Sequence, residues 1–101
     1  MHDLDIMLLF DTIENNYSFH NRINKLAEEC AEYLEAYFHY TSRGEGYLDK
    51  LVEEIAGIDF VMLTLKKKIL KIPKYNEMYK EIFSNQLKKA EEKVTEELNE
   101  R

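Results

Sequence analysis

The sequence predicts an all-α protein, a helical bundle built around a central antiparallel helix hairpin. Two observations predict this fold class. Apolar residues recur three and four positions apart along most of the chain, which is the spacing of one helix face. The 101 residues include only three glycines and one proline, and few turn-forming residues in a chain of this length mean a few long helices. One domain, residues 1–101, is expected.

The first two helices are predicted from local signals. The segment LDIMLLFDTIENN, residues 4–16, is expected to form a short helix that ends at the two asparagines. Ser18 is of a residue type favoured as an N-cap, so the second helix is expected over about residues 19–40. The segment SRGEG then breaks the pattern and serves as a tight connection, which makes the helices on either side antiparallel neighbours.

The third and fourth helices are predicted on the two sides of Pro73. The third is expected over about residues 47–71 and the fourth over about 75–98. Proline has no amide hydrogen to donate and restricts the residue before it, so we expect Pro73 to end or separate these helices. The later half of the fourth helix is heavily charged and is expected to project or to pack against a second chain.

Each helix of the hairpin carries an apolar stripe that we expect to be its buried face. The stripes comprise Ile23, Leu26, Ala27, Cys30, Leu34, Tyr37 and Phe38, then Leu48, Leu51, Val52, Ile55, Ile58, Met62, Leu65 and Ile69. Cys30 is thereby interpreted as a small core residue. Asp59 lies about 40° from the centre of its stripe at 100° per residue. A buried carboxylate is costly unless it has a cation, a partner or a task.

Composition limits the classes of function. A formal net charge of -6 argues against a nucleic-acid binder, which needs a basic footprint. The single cysteine cannot form an intrachain disulfide, so a reducing cytoplasm is the expected location. We expect no signal peptide and no membrane-spanning segment, because no apolar run approaches the required length.

Acidic residues share one side of the hairpin. Glu29 and Glu32 are three positions apart and so are neighbours on one helix surface, with Lys25 one turn earlier on the same side. Glu54 lies on the same side of the third helix, and counting outward from the loop places position 57 level with Glu32. Converging carboxylates are suited to a hard divalent cation such as Mg²⁺. A solvated acidic face, which is common on helices, remains the alternative reading.

The segments KLAEECAEYLEA and LVEEIAGIDFVMLTL resemble the MazG-like, all-α nucleoside triphosphate pyrophosphohydrolases. The resemblance implies that an E-x-x-E on one helix and an E-x-x-D on the next bind Mg²⁺, with Mn²⁺ as an alternative ion. Glu29 and Glu32 match the first pair, and Glu54 matches the first acid of the second pair. The family's aspartate falls on Gly57, and Asp59 is the nearest acid that could assist as a ligand.

The resemblance also implies an activity. It predicts hydrolysis of a nucleoside triphosphate to the monophosphate and pyrophosphate by a homodimer or homotetramer. Glu32 would be essential for turnover, Glu28 or Asp59 would accept the proton of the attacking water, and Lys25 would offset phosphate charge. The alternative is a catalytically degraded relative that binds nucleotide or protein as a helical oligomer, since Gly57 removes one metal ligand.

Overall fold

The computed structural model describes the backbone of residues 3–100 and the side chains of residues 5–44 and 46–100. Every regular element within that range is a helix, and the helices α2 and α3 pack closely as a hairpin. The elements are α1 (Asp3–Asn16), α2 (Phe19–Arg43), a short 3-10 helix (Glu45–Tyr47), α3 (Leu48–Ile69) and α4 (Pro73–Asn99). The predicted fold class is confirmed.

The helix ends follow from capping chemistry. The backbone N–H of Asn21 donates to the Ser18 hydroxyl at 3.0 Å, which confirms the predicted N-cap of α2. Helix α2 runs beyond its expected end to Arg43 and stops at Gly44, whose φ of +92° suits a residue without a Cβ. Pro73 begins α4 instead of lying outside it, because the first turn of a helix does not need the missing N–H.

Two compact units make up the chain, Met1–Lys68 and Ile69–Arg101. The first contains α1 and the hairpin, and the second contains α4; each unit is described by itself. The expectation of a single domain stays a prediction. Among the helices of residues 3–100, none is both long and apolar enough to cross a membrane.

The buried face of the hairpin differs from the predicted one. Six side chains of the hairpin are buried: Arg22, Ala36, Leu51, Glu54, Val61 and Thr64. Cys30 and Ile55, which the spacing places at the centres of the buried stripes, are exposed in the isolated chain, so that prediction is wrong for the single chain. The distance between packed helices depends on the side chains at the contact, and small residues such as Ala36 and Thr64 lie on the inner face.

The larger apolar side chains are consequently left on the outer surface of the hairpin. We call this surface the outer stripe; it comprises Ile23, Cys30, Leu34, Tyr37 and Phe38 of α2 and Leu48, Val52, Ile55 and Met62 of α3, all exposed. Asp59 is exposed as well. The expectation that Asp59 is buried is therefore wrong, because the stripe beside it faces outward, and its carboxylate needs no compensating cation.

Helix α1 is attached to the second half of α3. The rings of Phe10 and Phe60 lie 5.7 Å apart between centroids, and Lys67 Nζ pairs with Asp11 Oδ1 at 2.6 Å. Lys68 Nζ donates to the backbone carbonyl of Glu14 at 2.6 Å, near the end of α1. Lysines near the carboxyl end of α3 thus hold α1 in place, and such positions also favour cations through the helix dipole.

Candidate metal centre

Three carboxylates converge between the two helices of the hairpin. Glu29 and Glu32 project from α2 and Glu54 projects from α3, and each offers an oxygen that lies within 4.8 Å of the others. We call these three residues the acidic cluster. The pair on α2 is three residues apart, so both side chains leave the helix on neighbouring rows. The antiparallel return of α3 brings the third acid against them.

The acidic cluster has a buried floor and an open mouth. The Glu54 side chain is 7% exposed and that of Glu29 is 14% exposed, whereas Glu32 lies at the surface. Ligands arranged in this way leave one side free for water or for a phosphate group. Oxygen ligands with open positions are what Mg²⁺ uses when it binds through a few carboxylates and a substrate, so the donor set fits a hard divalent cation.

Each buried carboxylate has a lysine one turn earlier on its own helix. Lys25 Nζ lies 3.6 Å from Glu29 Oε1, and Lys50 Nζ lies 3.0 Å from Glu54 Oε1. These spacings of four residues are typical of ion pairs on helices, although the sequence analysis did not single out Lys50. The two lysines compensate the buried acids, so burial of charge alone does not require a bound cation.

Neighbouring groups oppose the ionisation of Glu32. Its pKa is raised first by the like charge of Glu29, then by desolvation, and then by the charge of Glu54 and a hydrogen bond with it. Lys25 acts in the opposite direction. The pKa of Lys50 is raised, chiefly by its hydrogen bond to Glu54 and by the charge of Glu53. A cation placed at the acidic cluster would therefore favour the ionised form of Glu32.

Gly57 lies directly under the carboxylate of Glu29. A Cβ at position 57 would stand 2.6 Å from Glu29 Oε2, which is too close for an ordinary contact. Counting along the sequence placed position 57 level with Glu32, whereas the structure places it against Glu29.

A cleft of about 540 Å³ opens beside the acidic cluster and shares Glu32 with it. Its lining consists of Glu32, Glu35, Ala36, His39, Tyr47 and Lys50. The rings of His39 and Tyr47 lie 5.7 Å apart and form one wall. Arg43 covers the outer side of Tyr47, with its Cζ 5.6 Å from the ring centre and Nη1 donating to the phenol oxygen at 3.1 Å.

Sequence reasoning did not find this cleft. His39 lies seven residues after Glu32, which places both side chains on the same face of α2 two turns apart, and that spacing was a usable signal. The position of Tyr47 was not readable in the same way, because it depends on the turn that follows Gly44.

The remaining predicted site residues lie outside the acidic cluster. Glu28 is 65% exposed and is bridged to Lys25 at 3.4 Å, so it sits beside the cluster at the surface. Lys25 is in contact with both Glu28 and Glu29. Asp59 is exposed and is not among the three acids whose oxygens meet. The roles assigned to these residues stay predictions.

Comparison with family models, with curated proteins and with solved structures finds no match for this chain. The resemblance to the MazG-like enzymes therefore stays a prediction that depends on the two motifs and on the geometry they produce.

Proposed function

We propose that this protein is a Mg²⁺-dependent hydrolase that cleaves nucleoside triphosphates to the monophosphate and pyrophosphate. One observation carries the proposal: carboxylates from two antiparallel helices meet within 4.8 Å, and one of them, Glu32, also lines a cleft large enough for a nucleoside. An acidic cluster is also found on ordinary helix surfaces. The neighbouring cleft, which Glu32 shares with the aromatic residues His39 and Tyr47, is what favours a nucleotide substrate.

Four glutamates have distinct roles in this proposal, as metal ligands or as the proton acceptor. Glu29, Glu32 and Glu54 hold Mg²⁺, or Mn²⁺ in its place. A bound ion would supply Lewis acidity, which would lower the pKa of the attacking water. The new bond joins this water oxygen to the α-phosphorus, the bond from that phosphorus to the bridging oxygen breaks, and pyrophosphate leaves. Glu28, at the surface beside Glu29, accepts the proton of the water.

Substrate binding uses the cleft and the lysines. The nucleoside lies against Tyr47 and His39, because base–aromatic stacking tolerates any base. Lys25, whose Nζ lies 3.6 Å from Glu29 Oε1, would offset the charge of the phosphates. Lys50, which borders both the cleft and Glu54, is placed to do the same.

The decisive experiment measures pyrophosphate release from a panel of nucleoside triphosphates with and without Mg²⁺. We expect turnover that requires the ion and is lost in Glu32→Gln and Glu54→Gln, with an unchanged helical spectrum. Glu53→Gln is the matched control, because Glu53 is exposed, precedes Glu54 and contacts the same lysine. No turnover with any nucleotide, together with no heat of Mg²⁺ binding, would remove the enzyme proposal.

The second candidate is a non-catalytic relative that binds nucleotide or protein as a helical oligomer. Two observations favour it: position 57 carries no carboxylate, and Lys25 and Lys50 already neutralise the buried acids. Nucleotide binding without hydrolysis would support this candidate. Under both candidates we propose a homodimer or homotetramer. The reason is that the outer stripe is a row of exposed large apolar side chains, and such a surface typically marks a site of protein–protein contact.

A further inference from the structure

We propose that α4 pairs with the α4 of a second copy of this chain in antiparallel orientation. Helix α4 spans 27 residues and none of them is buried. Its large apolar side chains are all exposed and recur mainly at spacings of three and four: Tyr75, Met78, Ile82, Phe83, Leu87, Val94 and Leu98. At 1.5 Å per residue the helix is about 40 Å long, so its apolar face runs along most of that length.

An amphipathic helix of this kind needs a partner. Helices in proteins owe most of their stability to packing of the apolar face, because an isolated helix in water is marginal. Rows of apolar residues at these spacings are also the pattern through which helices associate lengthwise. The exposed face of α4 is therefore expected to be covered in the protein as it exists in solution.

The charges of α4 identify the partner. Residues 74–89 contain four lysines against two glutamates, whereas residues 90–100 contain one lysine against five glutamates. The basic residues of the first half are Lys74, Lys80, Lys88 and Lys89, and the acidic residues of the second are Glu91, Glu92, Glu96, Glu97 and Glu100. In an antiparallel pair the basic half of each helix faces the acidic half of the other. In a parallel pair the two basic halves would face each other, and so would the two acidic halves.

The rest of the chain does not offer this complementarity. Residues 1–68 contain thirteen acidic against seven basic side chains, so they provide no net positive charge for the acidic half of α4. A second α4 provides a basic half and an acidic half in the required order. Charge complementarity of this kind fixes orientation and register more than it adds affinity.

The first test compares two variants of the full chain by sedimentation velocity. The variant K88E, K89E, E91K, E92K changes the net charge of residues 74–89 from +2 to -2 and that of residues 90–100 from -4 to 0. The two halves then no longer carry opposite charges, while the net charge and composition of the chain are unchanged. Its matched control, K80E, E81K, E92K, K93E, exchanges charges within each half. We expect the first to weaken α4-mediated dimerisation about tenfold, as the loss of several ion pairs predicts, and the control to dimerise like the natural chain. Equal dimerisation of all three would overturn the proposal.

The second test measures orientation by distances between spin labels. Single cysteines replace Ser84, near the middle of α4, or Asn99, at its end, in a Cys30→Ser background. An antiparallel pair gives a short distance between Ser84 labels and about 40 Å between Asn99 labels. Short distances at both positions would mean a parallel pair, and no coupling between chains at either position would mean that α4 packs elsewhere. Either result overturns the proposal.

Discussion

The Glu29 carboxylate rests on the backbone of α3 at Gly57, where a Cβ would stand 2.6 Å from Glu29 Oε2. Glycine lowers helix stability by about 1 kcal/mol relative to alanine, so its presence in the middle of α3 calls for a reason. The structure shows that Gly57 leaves space for the Glu29 side chain. Without a side chain at position 57, Glu29 can lie between the helices, where it meets Glu32 and Glu54.

Substitution of Gly57 by aspartate should leave tighter Mg²⁺ binding than substitution by alanine. Gly57→Ala displaces Glu29 and adds no ligand, so we expect Mg²⁺ affinity to fall about tenfold, equivalent to about 1.4 kcal/mol. Gly57→Asp also displaces Glu29 but adds a carboxylate, so it should bind Mg²⁺ more tightly than the alanine variant. Calorimetric titration of both provides the measurement. Gly46→Ala is the control, since a Cβ there meets nothing within 4 Å. Indistinguishable affinities for the two Gly57 variants would contradict this account.

The raised pKa of Glu32 predicts a stability that depends on pH. The pKa of Glu32 is higher in the folded chain than its ordinary 4.5, because of the Glu29 charge first. Ionised Glu32 therefore opposes folding at neutral pH, and this cost disappears as the pH falls through the raised pKa towards 4.5. Without divalent ions, Glu32→Gln should raise Tm at pH 7, and the difference should vanish below pH 4.5. Thermal unfolding followed across this range tests the prediction. An equal difference at every pH would show that the charge of Glu32 is not its cause.

Lys50 acts as the resident counter-ion of Glu54 in this structure. Lys50→Met leaves a carboxylate with a 7% exposed side chain without its cation, so Tm should fall, because an unpaired buried charge is unfavourable. Mg²⁺ should then raise Tm more in this variant than in the natural chain, since the ion restores the missing positive charge. Thermal shift assays with and without Mg²⁺ measure both effects. Lys50→Arg keeps the charge and should behave like the natural chain; a loss of equal size in that control would point to packing instead.

Tyr47 is the aromatic wall residue expected to contact the base. Tyr47→Ala should raise KM about tenfold with little change in kcat, because stacking on one base is worth about 1–3 kcal/mol. Tyr47→Phe retains the ring and removes only the phenol that accepts from Arg43, so its KM should stay near the natural value. Steady-state kinetics of pyrophosphate release distinguish these results. If both variants kept the natural KM, the nucleoside would not lie in the cleft.

Cys30 reports whether the outer stripe is covered in solution. The thiol is exposed in the isolated chain and shares its face of α2 with Ile23 and Tyr37, seven residues to either side. If this face is an interface between chains, the thiol should react slowly with a soluble disulfide reagent at high protein concentration and faster on dilution. Ile55→Glu should remove the protection, because a charge in an apolar contact is costly. Fast reaction at every concentration would show that the outer stripe is not an interface.

Local chemistry was readable from the sequence. The spacing of apolar residues predicted the four helices, and Ser18 predicted the start of α2, because these features depend on residues within one or two turns. Pro73 correctly predicted the separation of α3 from α4, but α4 begins at Pro73 and not at about residue 75, since proline suits the first turn of a helix. The candidates Glu29, Glu32 and Glu54 also came from spacing on single helices, together with the antiparallel return of the chain.

What the sequence determined by itself was therefore the helices and the residues that share each of their faces. Which face turns inward was decided only by the tertiary structure, because apolar residues lie on more than one face of both α2 and α3. The buried face includes Ala36, Leu51 and Val61, whereas Cys30 is exposed and the carboxylate of Glu29 lies against Gly57. The cleft of His39 and Tyr47 arises from the same choice, since its walls come from two helices and the turn between them.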